Sequence, residues 1–384
     1  MDHISFIVVA VIVAALAFDF TNGFHDTANA MATSIATKAL RPKVAVLISA
    51  VLNIAGAFLS TEVARTISNG IVNDALVTPS MIFAGLVGAI LWNLLTWLVG
   101  LPSSSSHALF GGLIGAVWVG AGGSAINFSE VVEKIIIPAF VSPFVAGTAA
   151  LMATYAAYRI TTRARKGRVT RGFRLGQTAS ASLVSLAHGT NDAQKTMGVI
   201  TLTLISAGAL SSGSGPPLWV IITAGVAIGL GTYLGGWRII RTMGKGLTDI
   251  ESPQGFAAET SSATVILASA HFGFALSTTQ VCSGAIIGAG VGKRLAKVRW
   301  GTAGRMAIAW LVTLPSAGLV GAVAAVGVTQ GGNLGIAVVS LCALAVAAVI
   351  VVLARRNPVT ARNVNEAKTV PAGLAVQTGG STGR

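Results

Sequence analysis

Charge, acidic residues and cysteine are all scarce in this sequence. Charged residues make up 10% of its 384 positions, whereas a soluble globular domain carries about 25%. A chain with so few polar groups cannot cover a water-facing surface, which excludes a soluble enzyme, a disordered protein and a nucleic-acid-binding module. The two cysteines, Cys282 and Cys342, both lie in apolar runs, so the sequence indicates no disulfide framework.

Long runs without charge take up most of the chain. We interpret them as membrane-spanning helices of about 20 residues each, and the longest have a polar break at 211–217 and at 329–333. The alternating ten-residue segments of a membrane β-barrel are absent. The predicted fold class is therefore an all-α polytopic membrane protein. The charge-free runs are 4–18, 44–61, 81–106, 135–158, 196–237, 260–292 and 306–354.

Positive charge is concentrated between these runs. The net charge is +14, and 23 of the 26 basic residues fall into five clusters, which the positive-inside rule assigns to the cytoplasm. This arrangement puts the N-terminus outside and the C-terminus inside. A basic cluster beside a membrane is typical of a topology determinant that also contacts anionic lipid; a regulatory role is the alternative. The clusters are 38–43, 159–174, 238–245, 293–305 and 355–384.

Two motifs recur in the same order in the two halves of the chain. Residues 23–26 align with 189–192 at a spacing of 166, and residues 104–116 align with 277–289 at a spacing of 173. The connection after the first motif is basic, whereas its counterpart at 206–217 is uncharged, so the halves are predicted to have opposite topology. Inverted repeats are common in secondary transporters, which bind substrate at the repeat interface.

The predicted organisation is thus two inverted-topology repeats joined by a basic loop. The helices at 109–120 and 281–292 are too short to cross fully, so we expect broken helices and re-entrant hairpins there. The predicted segments are an N-terminal repeat at 1–158, a basic cytoplasmic loop at 159–175, a C-terminal repeat at 176–354 and a disordered cytoplasmic tail at 355–384.

Four acidic residues lie inside apolar stretches. A charge at the bilayer centre costs at least about 2.5 kcal/mol, so such residues face a cavity or a partner. Asp26 and Asp192 are related by the repeat and are the strongest candidates for a functional role. Glu259 is a candidate cavity carboxylate that titrates, and Asp19 is either functional or a residue at the end of a span.

Basic and imidazole side chains accompany these acids. Lys195 follows Asp192 by three residues, so the two lie on the same face if the segment is helical. It either compensates the aspartate or offers a positive charge to an anion. His25 adjoins Asp26 and His188 opens the second motif, and both can bear a proton near neutral pH.

A run of hydroxyl side chains precedes a glycine-rich helix in each half. Hydroxyls and free backbone N–H groups at a helix N-terminus bind an anion without any basic side chain. Ordinary N-capping is the alternative, although it accounts for one hydroxyl of each run. The predicted oxyanion ligands are Ser104, Ser105 and Ser106 in the first half and Ser277, Thr278 and Thr279 in the second.

These motifs resemble the inorganic phosphate transporter (PiT) family from about residue 18 to about residue 354. The first signature reads NGFHDTANA at 22–30, the second reads HGTNDAQK at 188–195, and QGFAAE at 254–259 is also similar to the family. The resemblance implies a low-affinity phosphate symporter with inverted repeats, which forms a homodimer in the plasma (inner) membrane.

The variable positions of the signatures resemble the bacterial, proton-coupled branch. Sodium-coupled members carry asparagine where His25 and Lys195 stand in this sequence. This branch is similar to carriers of neutral divalent metal–phosphate complexes. One departure is Gln280, which stands where the family usually has histidine, and it argues against a symmetric role for His107.

The combined interpretation is a secondary active transporter, not an enzyme, with no cofactor. The oxyanion is expected between the two hydroxyl runs, with amide help from Asn29 and Asn191. Asp26 and Asp192 are expected to hold the coupling cation, or the metal of a metal–phosphate complex, with His25, Lys195 and Glu259 assisting. The alternatives are a sulfate transporter, a sodium-coupled phosphate symporter, a passive anion channel and a phosphate sensor.

Overall fold

The computed structural model describes residues 5–293 and 298–366, and this part of the chain is almost entirely helical. Short 3-10 or π-helical turns at Gly123–Ala125, Val132–Ile136 and Thr242–Gly246 join some of the helices. The helices are α1 (Phe6–Ala36), α2 (Pro42–Gly56), α3 (Glu62–Asn69), α4 (Pro79–Val99), α5 (Ser105–Ala121), α6 (Phe128–Val131), α7 (Ile137–Ile160), α8 (Lys166–Ser206), α9 (Leu218–Leu234), α10 (Trp237–Arg241), α11 (Ser252–His271), α12 (Thr278–Lys293) and α13 (Trp300–Arg356).

Several helices are long and apolar enough to cross a membrane. Among the described residues four pass by length and composition, namely α1, α4, the continuous segment Phe128–Ile160 and α13. The pair formed by α9 and Trp237–Gly246, which meet at a 60° bend, is a fifth if the two are counted as one span. The all-α polytopic class predicted from the sequence is confirmed.

Both polar breaks coincide with interruptions of helical structure. The helix α8 ends at Ser206 and α9 begins at Leu218, so the first break is a connection. The second lies inside α13, where Gly332 has φ 52° and ψ −135° and separates two helical halves. A positive φ is accessible to glycine at little cost, which is why the chain turns at this residue.

Most of the predicted basic loop at 159–175 is helical, and its cytoplasmic position stays a prediction. The helix α7 continues to Ile160 and α8 begins at Lys166, so the connection comprises residues 161–165. Arginine and lysine are good helix formers, so a cluster of positive charge does not stop a helix. With 41 residues, α8 is about 60 Å long, twice the hydrocarbon thickness of a bilayer.

The predicted disorder of the tail at 355–384 is also too extensive. Residues 357–366 pack against the ends of α1 and α10: Val364 is 1% exposed, and the Arg241 guanidinium donates to the backbone carbonyl of Asn363 at 2.9 Å. These contacts involve one apolar side chain and backbone groups, which a composition argument does not anticipate. The remainder of the tail, 367–384, lies outside the described residues.

Two broken hairpins, α4–α5 and α11–α12, are held by close glycine contacts. Gly115 of α5 lies directly against Gly318 of α13, and Gly288 of α12 lies directly against Gly147 of α7. A Cβ at Gly115 or Gly288 would overlap the facing backbone. Small residues at such crossings let helices approach closely inside a membrane. In both cases a hairpin packs through a glycine pair against a helix of the other half. The inverted orientation of the two halves stays a prediction.

Candidate functional site

Four segments converge at the centre of the structure: the middle of α1, the middle of α8, and the first turns of α5 and α12. The tips of the two hairpins touch, since the Ser106 hydroxyl donates a hydrogen bond of 3.2 Å to the carbonyl of Leu276. The hydroxyl runs of both halves are therefore brought to one place. They face the two signature motifs, one on α1 and one on α8.

One hydroxyl of each run caps its helix. Ser104 Oγ accepts a hydrogen bond of 3.1 Å from the backbone N–H of His107, and Ser277 Oγ accepts one of 3.3 Å from the backbone N–H of Gln280. The capping interpretation is confirmed for these two residues. Their oxygens satisfy N–H groups that a helix start otherwise leaves unpaired. The other hydroxyls are free of this task and have other partners.

Asp26 is surrounded by donors from both halves of the chain. Its Oδ2 accepts a hydrogen bond of 2.6 Å from Ser105, and its Oδ1 accepts one of 3.2 Å from Thr279. His25 Nδ1 lies 2.6 Å from the same Oδ1. Asp26 is 1% exposed, so these neighbours replace the water that a buried carboxylate would otherwise need.

Asp192 is the equivalent carboxylate of the second half, and it has a buried cation beside it. Its Oδ1 pairs with Lys195 Nζ, and both side chains are fully buried. Its Oδ2 lies 3.1 Å from His188 Nε2 and accepts a hydrogen bond of 3.1 Å from Thr278. Asn22 Nδ2, on α1, is 3.5 Å from the same oxygen. The prediction that Asp192 and Lys195 share a helix face is confirmed.

The two aspartates approach each other as predicted. One ligand atom from each of Asp26, His188 and Asp192 lies within 4.8 Å of the other two. Like charges this close repel strongly in a buried site, so two ionised carboxylates need a counter-charge. Lys195 supplies one positive charge. The second negative charge is left for a proton or a bound cation to offset.

The two predicted amide ligands have different surroundings. Asn29 Nδ2 donates to the hydroxyls of Thr278 at 3.2 Å and Thr279 at 3.1 Å. Asn191 Nδ2 makes a longer bond of 3.4 Å to the carbonyl of Phe274. Within the described ranges, neither Oδ1 atom has a hydrogen-bond partner. Asn29 therefore belongs to the cluster around the aspartates, whereas Asn191 contacts the segment before α12.

Glu259 lies in a separate polar cluster. Its Oε1 accepts hydrogen bonds from Thr33 and Ser34, each of 2.6 Å, and one of 3.1 Å from Gln177. Its Oε2 accepts one of 2.5 Å from Ser180. Thr33 is seven residues beyond Asp26 in α1, which is about 10 Å along the helix axis. Glu259 therefore lies apart from the two aspartates, and its coupling role stays a prediction.

Asp19 is not a residue at the end of a span. It lies near the middle of α1 and is 0% exposed. Among the described residues, neither of its carboxyl oxygens has a hydrogen-bond partner. The alternative that placed Asp19 at an aqueous edge is wrong, because α1 begins at Phe6 and puts more than three turns of apolar helix before it.

Sequence reasoning missed the residues that orient the two histidines. His25 Nε2 lies 3.2 Å from Thr96 Oγ1 and 3.4 Å from Ser103 Oγ, and His188 Nδ1 lies 3.2 Å from Asn53 Oδ1. Asn53 and Thr96 are isolated polar residues inside charge-free runs. That feature is a signal that could have identified them, since a buried polar group needs a partner.

Most of the chain is similar to a known protein family and to named proteins of other organisms. The profile of the phosphate transporter family matches residues 22–321. A Mycobacterium bovis protein described as "Probable low-affinity inorganic phosphate transporter" is 60% identical over 366 residues, which is 94% of this chain and 87% of its own length. A Bacillus subtilis protein with the same description is 42% identical over 326 residues, which is 84% of this chain and 98% of its own.

A solved structure agrees with the fold. It is described as "The sodium-dependent phosphate transporter", and it matches with a TM-score of 0.70 over 83% of this chain and 98% of its own. At 22% sequence identity, this similarity concerns the fold alone. Both signatures and both hairpin tips lie inside the residues matched by the family profile. The resemblance inferred from the motifs is confirmed: this multi-pass membrane protein belongs to the phosphate transporter family, a family of transporters and not of enzymes.

Proposed function

We propose that the chain is a low-affinity symporter that imports inorganic phosphate across the plasma membrane, driven by protons. Its N-terminus would lie outside and its C-terminus in the cytoplasm. The names of its relatives support the substrate. The paired aspartates, which need a proton or a cation to offset their charge, support the coupling. A homodimer stays a prediction.

Phosphate would bind between the two hairpin tips. Ser105, Thr278 and Thr279 offer hydroxyls there, and the Asn29 amide lies against the two threonines. These groups are nine-tenths or more buried, so each hydrogen bond to an oxyanion would form in a low-dielectric site, where it is stronger than in water. The starts of α5 and α12 add the positive ends of two helix dipoles.

The Asp26 carboxylate and phosphate would compete for the same hydroxyl hydrogens. A hydroxyl has one hydrogen to donate, and the hydroxyls of Ser105 and Thr279 now donate theirs to Asp26. A proton on Asp26 removes an acceptor and one negative charge together. The hydroxyls can then rotate and donate to phosphate, while the repulsion between carboxylate and phosphate falls. Proton binding therefore favours phosphate binding, as symport requires.

The buried ammonium group of Lys195 favours coupling to protons over coupling to sodium. Sodium would need several oxygen ligands at the second aspartate, and there Lys195 Nζ already pairs with Asp192 Oδ1. A fixed cation beside this carboxylate repels a second one. The proton-accepting group left in the central cluster is then Asp26, with His25 in contact.

A neutral metal–phosphate complex is a second form of the cargo. The cluster of Asp26, His188 and Asp192 offers two carboxylates and an imidazole within 4.8 Å of one another. Carboxylate and imidazole are common ligands of divalent metals. A metal carried with phosphate would offset the negative charge that Lys195 leaves in this cluster.

The experiment that tests the function is phosphate uptake into proteoliposomes of the purified protein with separately imposed pH and sodium gradients. We expect an inward proton gradient to drive accumulation, a protonophore to abolish it, and sodium to have no effect. Uptake that needs sodium and ignores the protonophore would contradict the coupling. Downhill flux without accumulation would favour a channel, and no flux with retained binding would favour a sensor.

The hydroxyls should determine affinity for phosphate. We expect Ser105→Ala and Thr278→Ala each to weaken phosphate binding by about 1.5–3 kcal/mol, because each removes a hydrogen bond to a charged group. This corresponds to roughly a 10- to 150-fold rise in KM. Initial rates of exchange at varied phosphate measure it.

A matched control is Ser49→Ala on α2, since this hydroxyl is equally buried and has no hydrogen-bond partner within the described residues. It should leave KM unchanged. Excess sulfate should compete weakly, because it lacks a proton to donate to a carboxylate. Normal KM in both site variants, or strong competition by sulfate, would place the site elsewhere or favour the other oxyanion.

A further inference from the structure

A cavity of about 750 Å³ lies beside the end of α1, on the side that the charge pattern assigns to the cytoplasm. Its walls come from the end of α1, the connection between α7 and α8, the first turns of α8, the start of α11 and the end of α12. Both halves of the chain therefore build it. The residues of the central cluster lie outside its lining, so it is a second space in the molecule.

The lining of this cavity is strongly basic. It contains Lys38, Lys166, Arg174 and Lys293, and Glu251 is the one acidic side chain among its described lining residues. Lys293 Nζ lies 2.5 Å from Glu251 Oε1, so these two charges cancel. Over 5–293 and 298–366, the other three cations have no carboxylate within 4.0 Å. The cavity thus has an excess of positive charge that no described side chain offsets.

Two of these cations are held in costly arrangements. Arg174 Nε is buried and has no hydrogen-bond partner among the described residues, and an unmade hydrogen bond of a charged group is expensive. Lys38 has a φ of 61°, which is uncommon for any residue other than glycine. An anion in the cavity would give the guanidinium a partner.

A row of polar side chains joins the cavity to the interior. Thr37 lines the cavity and donates a hydrogen bond of 2.7 Å to Gln177 Oε1. Gln177 Nε2 in turn donates to Glu259, which also accepts from Thr33. One turn of α1 separates Thr33 from Asn29, the amide at the hairpin tip. Polar groups therefore follow α1 from the central cluster to the cavity.

We propose that this cavity is a phosphate-binding vestibule on the cytoplasmic side, which receives the oxyanion as it leaves the central cluster. The inference rests on phosphate transport by this chain and not on its coupling to protons. Clefts lined by one sign of charge raise the local concentration of the opposite ion roughly 10- to 1000-fold. The Lys38, Lys166 and Arg174 side chains would provide that field.

The headgroup of an anionic lipid has the same phosphate chemistry. The cavity nevertheless fits free phosphate better, because it is also lined by hydroxyls, those of Thr161, Thr162 and Thr170, and it continues into the polar row at Thr37. A lipid headgroup needs neither feature. The experiment separates the two by lipid composition.

The test is phosphate–phosphate exchange in proteoliposomes, with the phosphate concentration varied on one face at a time. Orientation is scored by protease access to a C-terminal tag. The test variant is Lys166→Gln/Arg174→Gln. The matched control is Arg168→Gln/Arg171→Gln, which removes the same charge from the same helix at exposed positions outside the cavity lining.

We expect the half-saturating phosphate concentration at the cytoplasmic face to rise at least about threefold in the test variant, and the difference to shrink at high salt. The external face of the test variant and both faces of the control should match the parent protein. This pattern should persist in vesicles of phosphatidylcholine alone.

If the half-saturating phosphate concentration at each face were the same in the test variant as in the control variant, the vestibule proposal would be overturned. An effect that appears only with anionic lipid in the vesicles would overturn it too, and would assign the cavity to a headgroup. Exchange needs no gradient, so failure of proton coupling leaves it measurable. Failure of the coupling proposal and failure of the vestibule are therefore distinguishable in one preparation.

Discussion

Asp26→Asn should exchange phosphate across the membrane but fail to accumulate it. Asparagine keeps the shape of the side chain and removes its charge, so the oxyanion loses a repulsive neighbour. The amide cannot take up and release a proton, so binding of phosphate no longer depends on one. Internal and external phosphate should equalise under a proton gradient that we expect to drive concentrative uptake by the parent protein. Exchange and gradient-driven uptake are measured on the same purified variant.

The matched control is Asp74→Asn. This aspartate accepts a hydrogen bond of 2.5 Å from Ser212 away from the central cluster, and the variant should remain fully coupled. Reduced expression of Asp26→Asn with coupling intact in the remaining protein would indicate a structural role. Coupled uptake by Asp26→Asn at the normal rate would contradict the mechanism proposed here.

Lys195→Met should destabilise the protein more than any other single change considered. It leaves the Asp192 carboxylate buried without its cation, and breaking such a pair typically costs about 3–5 kcal/mol. The loss is measured as the thermal midpoint of unfolding in detergent, together with uptake. Lys43→Met is the control, because Lys43 is exposed at the start of α2, and its effect should stay within about 0.5 kcal/mol.

A double variant, Lys195→Met/Asp192→Asn, separates the stability of the pair from its function. Replacing both partners of a buried ion pair by neutral groups is often neutral or stabilising. The double variant should therefore regain most of the lost stability and still fail to accumulate phosphate. If Lys195→Met alone were as stable as the parent, the ion pair with Asp192 would have no part in holding the site.

Much of the fold was predictable because the membrane imposes simple rules on a sequence. A charge inside an apolar run is costly, so the positions of Asp26 and Asp192 in the sequence made them candidates. The repeat at similar spacing then indicated that they meet. The turns at 211–217 and 329–333 followed from polar breaks, since a bilayer leaves few other places for them.

The remainder depends on packing that a linear pattern does not contain. The hydroxyl run 104–106 did not reveal that Ser104 caps its helix while Ser105 donates to Asp26. The two side chains point in different directions at the start of the helix, and the order of residues alone does not give those directions. Charge at 159–174 indicated the cytoplasmic side and gave no information about where α8 begins. The separation of Glu259 from the two aspartates follows from the length of α1.

The contact between Asp26 and Thr279 has a consequence for biosynthesis. The two residues are 253 positions apart, and a ribosome adding about 5–20 residues per second needs roughly 13–50 s to span that distance. During this interval Asp26 is in the nascent chain without its partner from the second half, and Ser105 arrives 79 residues after it. The first half of the protein therefore spends many seconds as an incomplete membrane insertion intermediate, and a chain terminated before α12 lacks the two threonine hydroxyls, of Thr278 and Thr279, that donate to Asp192 and Asp26.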